Sequence, residues 1–256
     1  MKLFTSIILI LTPIILFSQD LNSISSKTAI LNDAKHLEIG LFQPIRYSIT
    51  RNWEIATHPI AFFMSPNLQL KKAYKSSSEL SFASQHTIYY PTPLLKMISR
   101  EGTGGIIAEE FKDDFPQMFS LYNGILISKQ VNDKHLVTLK TGVKFAINSG
   151  DLDSRTSIDL PLVFQRLQVF HEGFGLQYGF NVVAHIKGNF YSDANFEIFH
   201  FPGSDENLAI EYSSMYSWMK SDKTQLSLGF KVIWGNYPFG SQTHLLPMFD
   251  IKWKIR

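Results

Sequence analysis

The chain has 256 residues, with 24 Lys and Arg against 22 Asp and Glu, 21 Phe, 10 Tyr and no Cys. A net charge of +2 gives no electrostatic case for nucleic acid as a partner. The lack of Cys excludes disulfides, thiolate zinc sites, cysteine nucleophiles and an N-terminal lipid anchor on Cys.

The first stretch, MKLFTSIILILTPIILFSQD, sets Lys2 before an apolar run over residues 3–17 and ends near the small residue Ser18. This is the layout of a secretory signal peptide. The run is shorter than the ~20 residues a spanning helix needs, and Thr5, Ser6, Thr12 and Pro13 interrupt it. Residues 1–18 are therefore expected to be a cleaved signal peptide, and residues 19–35 a polar periplasmic lead-in. No later stretch approaches ~18 consecutive apolar residues.

From residue 36 onward the chain is a series of segments with a two-residue period, separated by turn residues. Residues 36–50 carry Leu37, Ile39 and Leu41; residues 53–64 follow an Arg51-Asn52 turn. Ser65-Pro66-Asn67 is a turn, residues 68–74 are a weaker segment, and residues 80–95 keep Leu80, Phe82, Ile88 and Tyr90 in phase. The longest break spans residues 98–115. Residues 117–131, 135–147, 157–170, 174–186, 190–201, 208–219 and 224–235 follow, and the last segment sets Phe249, Ile251, Trp253 and Ile255 against Asp250, Lys252 and Lys254. The clearest case is FGLQYGFNVVAHI, which sets Phe174, Leu176, Tyr178, Phe180, Val182, Ala184 and Ile186 on one face. That makes about twelve strands in one domain over residues 36–256.

Four features set the apolar face against lipid rather than a protein core. The segments approach the ~9–11 tilted residues that cross a bilayer. Their other face is rich in Gly, Ser, Thr, Asn, Gln and Lys, as a hydrated barrel interior requires. Trp53, Tyr89, Tyr90, Trp218, Trp234, Tyr237 and Trp253 lie near segment ends, where rings form interfacial girdles. An alternating strand reaches the end of the sequence, as a closing sheet requires, and a closed barrel is the only β architecture that satisfies its backbone in lipid. The alternative is a secreted soluble β-sandwich or barrel that binds a ligand.

The words LEIGLFQPIRYSI, YYPTPLL, SREGTGG, SIDLPLVF, GNYPFG and HLLPMFDIKW, with the leader ending LFSQ, resemble an uncharacterised family of outer-membrane β-barrels of Gram-negative bacteria. The resemblance covers roughly residues 36–256. It implies an all-β fold, a single transmembrane antiparallel barrel and an outer-membrane location. It also implies membrane lipid and the barrel insertion machinery as partners, and no particular activity. Many such barrels end in an aromatic residue, whereas this sequence ends in Arg256.

Twelve strands with both ends periplasmic would put the break at residues 98–115 on the periplasmic side, although long loops face outward. Either one strand is wrongly divided, for instance at Ser65-Pro66-Asn67, or the break is an inner loop or plug; ten strands is the alternative count.

Arg100-Glu101-Gly102-Thr103-Gly104-Gly105 lacks the Lys and flanking helix of a phosphate loop and is expected to be a turn needing positive φ. Asp151, Asp153 and Asp159 lack the rest of a calcium loop and are expected in a solvated loop. The eight His form neither HExxH nor HxxxH, and the YTQ and HxSNG words of the outer-membrane phospholipases are missing. A lipid hydrolase needs a nucleophile, base and acid meeting at one rim, and sequence spacing assembles none. No enzyme activity, metal or cofactor is expected, with a lipid-modifying hydrolase of the outer membrane as the alternative.

The polar faces carry Lys140, Lys144, His185, Lys187, Lys231, Lys252 and Lys254, with Glu38, Glu54, Glu211 and Asp250 as opposing carboxylates. Pointed inward, these either make a narrow cationic channel that favours anions or pair across the lumen and fill it.

Overall fold

The computed structural model describes residues 21, 24–58, 66–74, 80–160 and 162–255. Twelve strands close into one antiparallel barrel in chain order, with the first strand paired to the last. They are β1 (His36–Gly40), β2 (Ile45–Thr50), β3 (Trp53–Thr57), β4 (Asn67–Ala73), β5 (Leu80–Tyr89), β6 (Met118–Asn132), β7 (His135–Asn148), β8 (Phe174–Lys187), β9 (Phe190–His200), β10 (Leu208–Ser221), β11 (Thr224–Tyr237) and β12 (Gly240–Ile255). Closure comes from β1 against β12, with Leu37 opposite Ile255 and Gly40 opposite Lys252.

The two-residue period sorts the side chains as lipid would. Leu139, Phe145 and Ile147 of β7, Tyr178, Phe180 and Ile186 of β8, and Leu228 and Phe230 of β11 are exposed on the outer surface. Their neighbours Leu136, Thr138, Asn181, Val183, Gln225 and Ile233 are buried inside. An exposed apolar exterior on a closed antiparallel barrel is the outer-membrane architecture, and the chain is an outer-membrane β-barrel. No helix among the described residues is long and apolar enough to cross a membrane, which concerns helices alone.

The strand number is reached by a different division of the chain. Residues 36–50, expected as one strand, are β1 and β2 joined by a turn at residues 41–44. Residues 157–170, expected as a strand, are instead loop and short helix, α2 (Phe164–Leu167) followed by α3 (Val169–Glu172). Their apolar residues serve a different core. Ile158, Leu167, Val169 and Phe170 pack with Ile107, Phe111, Phe115, Phe199 and Phe201 in the mouth of the barrel. Residues 80–95 likewise divide into β5 and a helix, α1 (Thr92–Ile98), whose Leu95 joins the same core.

Splitting the first segment shifts the strands up to β7 by one, and the loss of a strand at residues 157–170 cancels the shift from β8 onward. The break at residues 98–115 then follows β5 and lies at the end that carries the long connections, 90–117 and 149–173. The end with the short turns holds both barrel termini. By the usual asymmetry of these barrels the short-turn end is periplasmic, which removes the conflict over the break. Within it, Gly102 and Gly104 take the positive φ expected of them, +76° and +83°.

Candidate functional site

The lumen is the candidate site, and the chain itself enters it. Leu21 and Ile24 pack on Leu136, Val183, Tyr191 and Met219 near the short-turn end. Ala29 packs on Ala83 and Leu126, and its amide donates to Ser128 Oγ at 2.8 Å. Lys71 Nζ donates to the carbonyls of Ser26 (2.6 Å) and Thr28 (3.3 Å). Lys252 Nζ donates to that of Ile24 at 3.1 Å. A polar lead-in has no helical or strand ladder for its carbonyls, and inward lysines supply the donors.

Beside this segment runs a ladder of buried charge. Arg46 of β2 pairs with Glu38 of β1 and lies 3.5 Å from Glu54 of β3; Lys71 of β4 is 3.7 Å from Glu54. Lys252 approaches Glu38 at 3.7 Å, and Asn32 Nδ2 donates to Glu38 at 3.1 Å. A second cluster lies across the lumen. Glu211 of β10 accepts from Arg166 of α2 and Lys231 of β11, each at 2.7 Å. Lys140 of β7 bonds Glu197 of β9 and donates to Asn195 Oδ1 at 2.6 Å.

Between the clusters lies a cavity of about 790 Å³ lined by Gln69, Gln85, Gln177, Lys27, Lys144 and Glu197, among others. It reaches Phe42 and Phe249, which meet edge to face at 4.8 Å on the outer side where β12 stands above the β1–β2 turn. Lys144 Nζ donates to the carbonyl of Arg166 at 2.8 Å. Among the described residues no carboxylate lies within 4 Å of Lys144 or Lys27.

The other sequence candidates fall as follows. Lys254 is buried and inward, near the closure of β12 on β1. His185 sits at the β8–β9 turn, its Nε2 2.7 Å from the carbonyl of Gly188. Lys187 does not reach the lumen: a register shift between residues 185 and 187 leaves it exposed at the rim. Trp218 and Trp253 are exposed on the outer wall; Trp53 is half-buried, and the ammonium of half-buried Lys72 lies 4.9 Å over its ring. Tyr90 stacks on exposed Phe119 at 4.6 Å, and Trp234 is half-buried in phase with exposed Phe230. Tyr89 and Tyr237 are not girdle residues. Tyr89 lines the cavity beneath Lys144. Tyr237 is buried against Phe164 and receives a hydrogen bond from Gln165 at 3.3 Å. Segment ends alone do not fix a face; phase does, and both rings fall in the inward phase.

Sequence reading passed over Arg46, Lys71, Arg166 and Glu197. Arg46 and Lys71 lie in segments whose division or strength was misjudged, and Arg166 in the misassigned strand. Glu197 follows a stretch of poor alternation. Asp153 is bonded by Arg155 (2.6 Å) and Asp159 by Gln242 (2.8 Å).

No family model and no curated protein matches the chain. Among solved structures, it is similar to an outer membrane channel from Pseudomonas putida F1, with 9% identity over 90% of this chain and 97% of that one, at a TM-score of 0.50. It is also similar to the NanC porin (7% identity, 86% and 96% coverage, TM-score 0.47). A third is the KdgM porin solved with oligogalacturonate (8%, 86% and 96%, TM-score 0.44). Likeness at such identity concerns the fold.

Proposed function

We propose that this barrel is a narrow outer-membrane channel for small polar solutes, with a preference for anions. The observation that carries the reading is the uneven pairing of its inward charge. Arg46, Lys71, Lys140, Lys231 and Lys252 are each set against a carboxylate, whereas Lys27 and Lys144 line the open cavity with none within 4 Å among the described residues. A cation facing a hydrated cavity attracts anions and repels cations. The fold-level likeness to an outer membrane channel supports the same reading. Planar-bilayer recording in a potassium chloride gradient tests it: a small steady conductance with a reversal potential on the chloride side is expected. Well-folded protein without conductance would overturn the proposal.

A second reading is favoured by the buried ladder Glu38–Arg46–Glu54–Lys71 together with the lumen segment. Here the barrel is structural, and its interior is filled by paired charges. Absence of conductance, with unchanged absence after removal of residues 21–30, is the result that supports it.

A further inference from the structure

We infer that Ser84, His86 and Asn123 form a catalytic triad on the lipid-facing wall, cleaving carboxylic esters of membrane glycerolipids. The inference is independent of the lumen. Ser84 and His86 are two residues apart on β5, so both point to the same side. That side is the outer one, since Ile88 on the same phase is exposed while Ala83 packs inside. Asn123 is directly opposite His86 on β6, in phase with exposed Leu121 and Ile125. Polar side chains are costly on a surface that faces hydrocarbon and mark function there.

The hydrogen bonds run in the order that nucleophilic catalysis needs. His86 Nδ1 is 2.8 Å from Asn123 Oδ1, and His86 Nε2 is 3.1 Å from Ser84 Oγ. An amide oxygen only accepts, so Nδ1 carries the hydrogen and Nε2 is left to take the Ser84 proton. The Tyr74 hydroxyl is 3.0 Å from Ser84 Oγ, placed to donate to an oxyanion formed at the attacked carbonyl. Lys72, paired opposite Ser84, holds its ammonium 5.4 Å from the Tyr74 ring.

The site's position suits the chemistry. The pairing line runs from Trp53 through Lys72 to Ser84, and Trp53 directly follows the turn at Arg51-Asn52. Along its own strand Ser84 is the fifth residue of β5, in the half nearer the short-turn rim, the side on which lipid esters and interfacial water meet.

In the reaction, Ser84 Oγ adds to the ester carbonyl carbon as its proton passes to His86 Nε2. The carbon–oxygen bond to the glycerol side breaks, and the leaving oxygen takes that proton, giving an acyl-Ser84 ester and a free alcohol. Water then adds to the acyl carbonyl, giving its proton to His86. The Ser84–acyl bond breaks, the proton returns to Ser84 Oγ, and a fatty acid leaves.

The test uses refolded full-length barrel, checked by its heat-dependent gel shift, in mixed micelles with dipalmitoyl phosphatidylcholine. Wild type should release palmitate and carry a fluorophosphonate adduct on Ser84, located by mass spectrometry. Ser84→Ala should lose both while keeping the wild-type chloride conductance. His86→Gln should lower release by about 10²-fold or more. Asn123→Ala should lower release and shift its pH profile, and Asn123→Asp should restore both, which a purely structural role would not do. Folded wild type that neither releases palmitate nor takes the adduct at Ser84 would sink the inference, as would release that survives Ser84→Ala. Should Ser84→Ala fail to fold, the adduct position in wild type decides alone. Loss of conductance with intact hydrolysis would overturn only the channel proposal.

Discussion

Glu38 and Arg46 face each other across the β1–β2 pairing as an ion pair with both side chains almost wholly buried, at 1% and 4% exposure. Neither can be removed alone without leaving charge in a site sealed by the lumen segment. Breaking a buried pair from one side costs about 3–5 kcal/mol. Arg46→Met leaves both Glu38 and Glu54 without their strongest partner. It is expected to lower the urea midpoint of the folded barrel clearly, followed by loss of the heat-shifted gel form. Glu38→Gln should cost less, because an amide keeps part of the hydrogen bonding.

Tyr122 lies flat over two glycines on the inner wall. A Cβ on Gly124 would come within 2.3 Å of its hydroxyl oxygen, and one on Gly142 within 2.5 Å of the ring. Gly124 and Gly142 are directly opposed on β6 and β7. Gly142→Ala should therefore destabilise the barrel by about 1–3 kcal/mol through overpacking. The same change in a Tyr122→Ala background should cost much less. Equal costs in the two backgrounds, measured by urea unfolding, would refute the contact.

Lys144 is an inward cation that donates to the carbonyl of Arg166 and has no carboxylate within 4 Å among the described residues. If the lumen conducts, Lys144→Glu should move the reversal potential toward cation selectivity. Lys231→Glu should instead damage folding, since Lys231 shares Glu211 with Arg166. The two variants separate selectivity from stability in one recording and one unfolding curve.

His171, in α3 of the connection over the mouth, has its pKa lowered by burial, with Asp153 pulling the other way. A depressed histidine pKa means that the folded loop prefers the neutral ring. Its contribution is fully present above the ordinary histidine range near 6.5 and is lost as pH falls through the lower folded value. Proteolysis of residues 149–173 should speed up between about pH 7 and pH 5 in wild type and change little in His171→Gln.

The two-residue period alone determined the barrel and which residues of its long strands face lipid, because lipid accepts only one phase of an alternating strand; the count of twelve came from two divisions that offset each other. Phe180 and Asn181 are legible that way from their neighbours. Period does not see where a segment turns back or leaves the sheet. The turn at residues 41–44 falls inside one alternating run, and Ile158, Phe164 and Phe170 alternate well enough for a strand yet belong to loop and short helices at the mouth. Only the tertiary structure decided that residues 24–30 fill the lumen and which charges pair, since Arg46, Glu54 and Lys71 meet through strand register. The same holds for Ser84, His86 and Asn123. Thirty-seven residues separate His86 from Asn123, and only the β5–β6 register brings the amide to the imidazole.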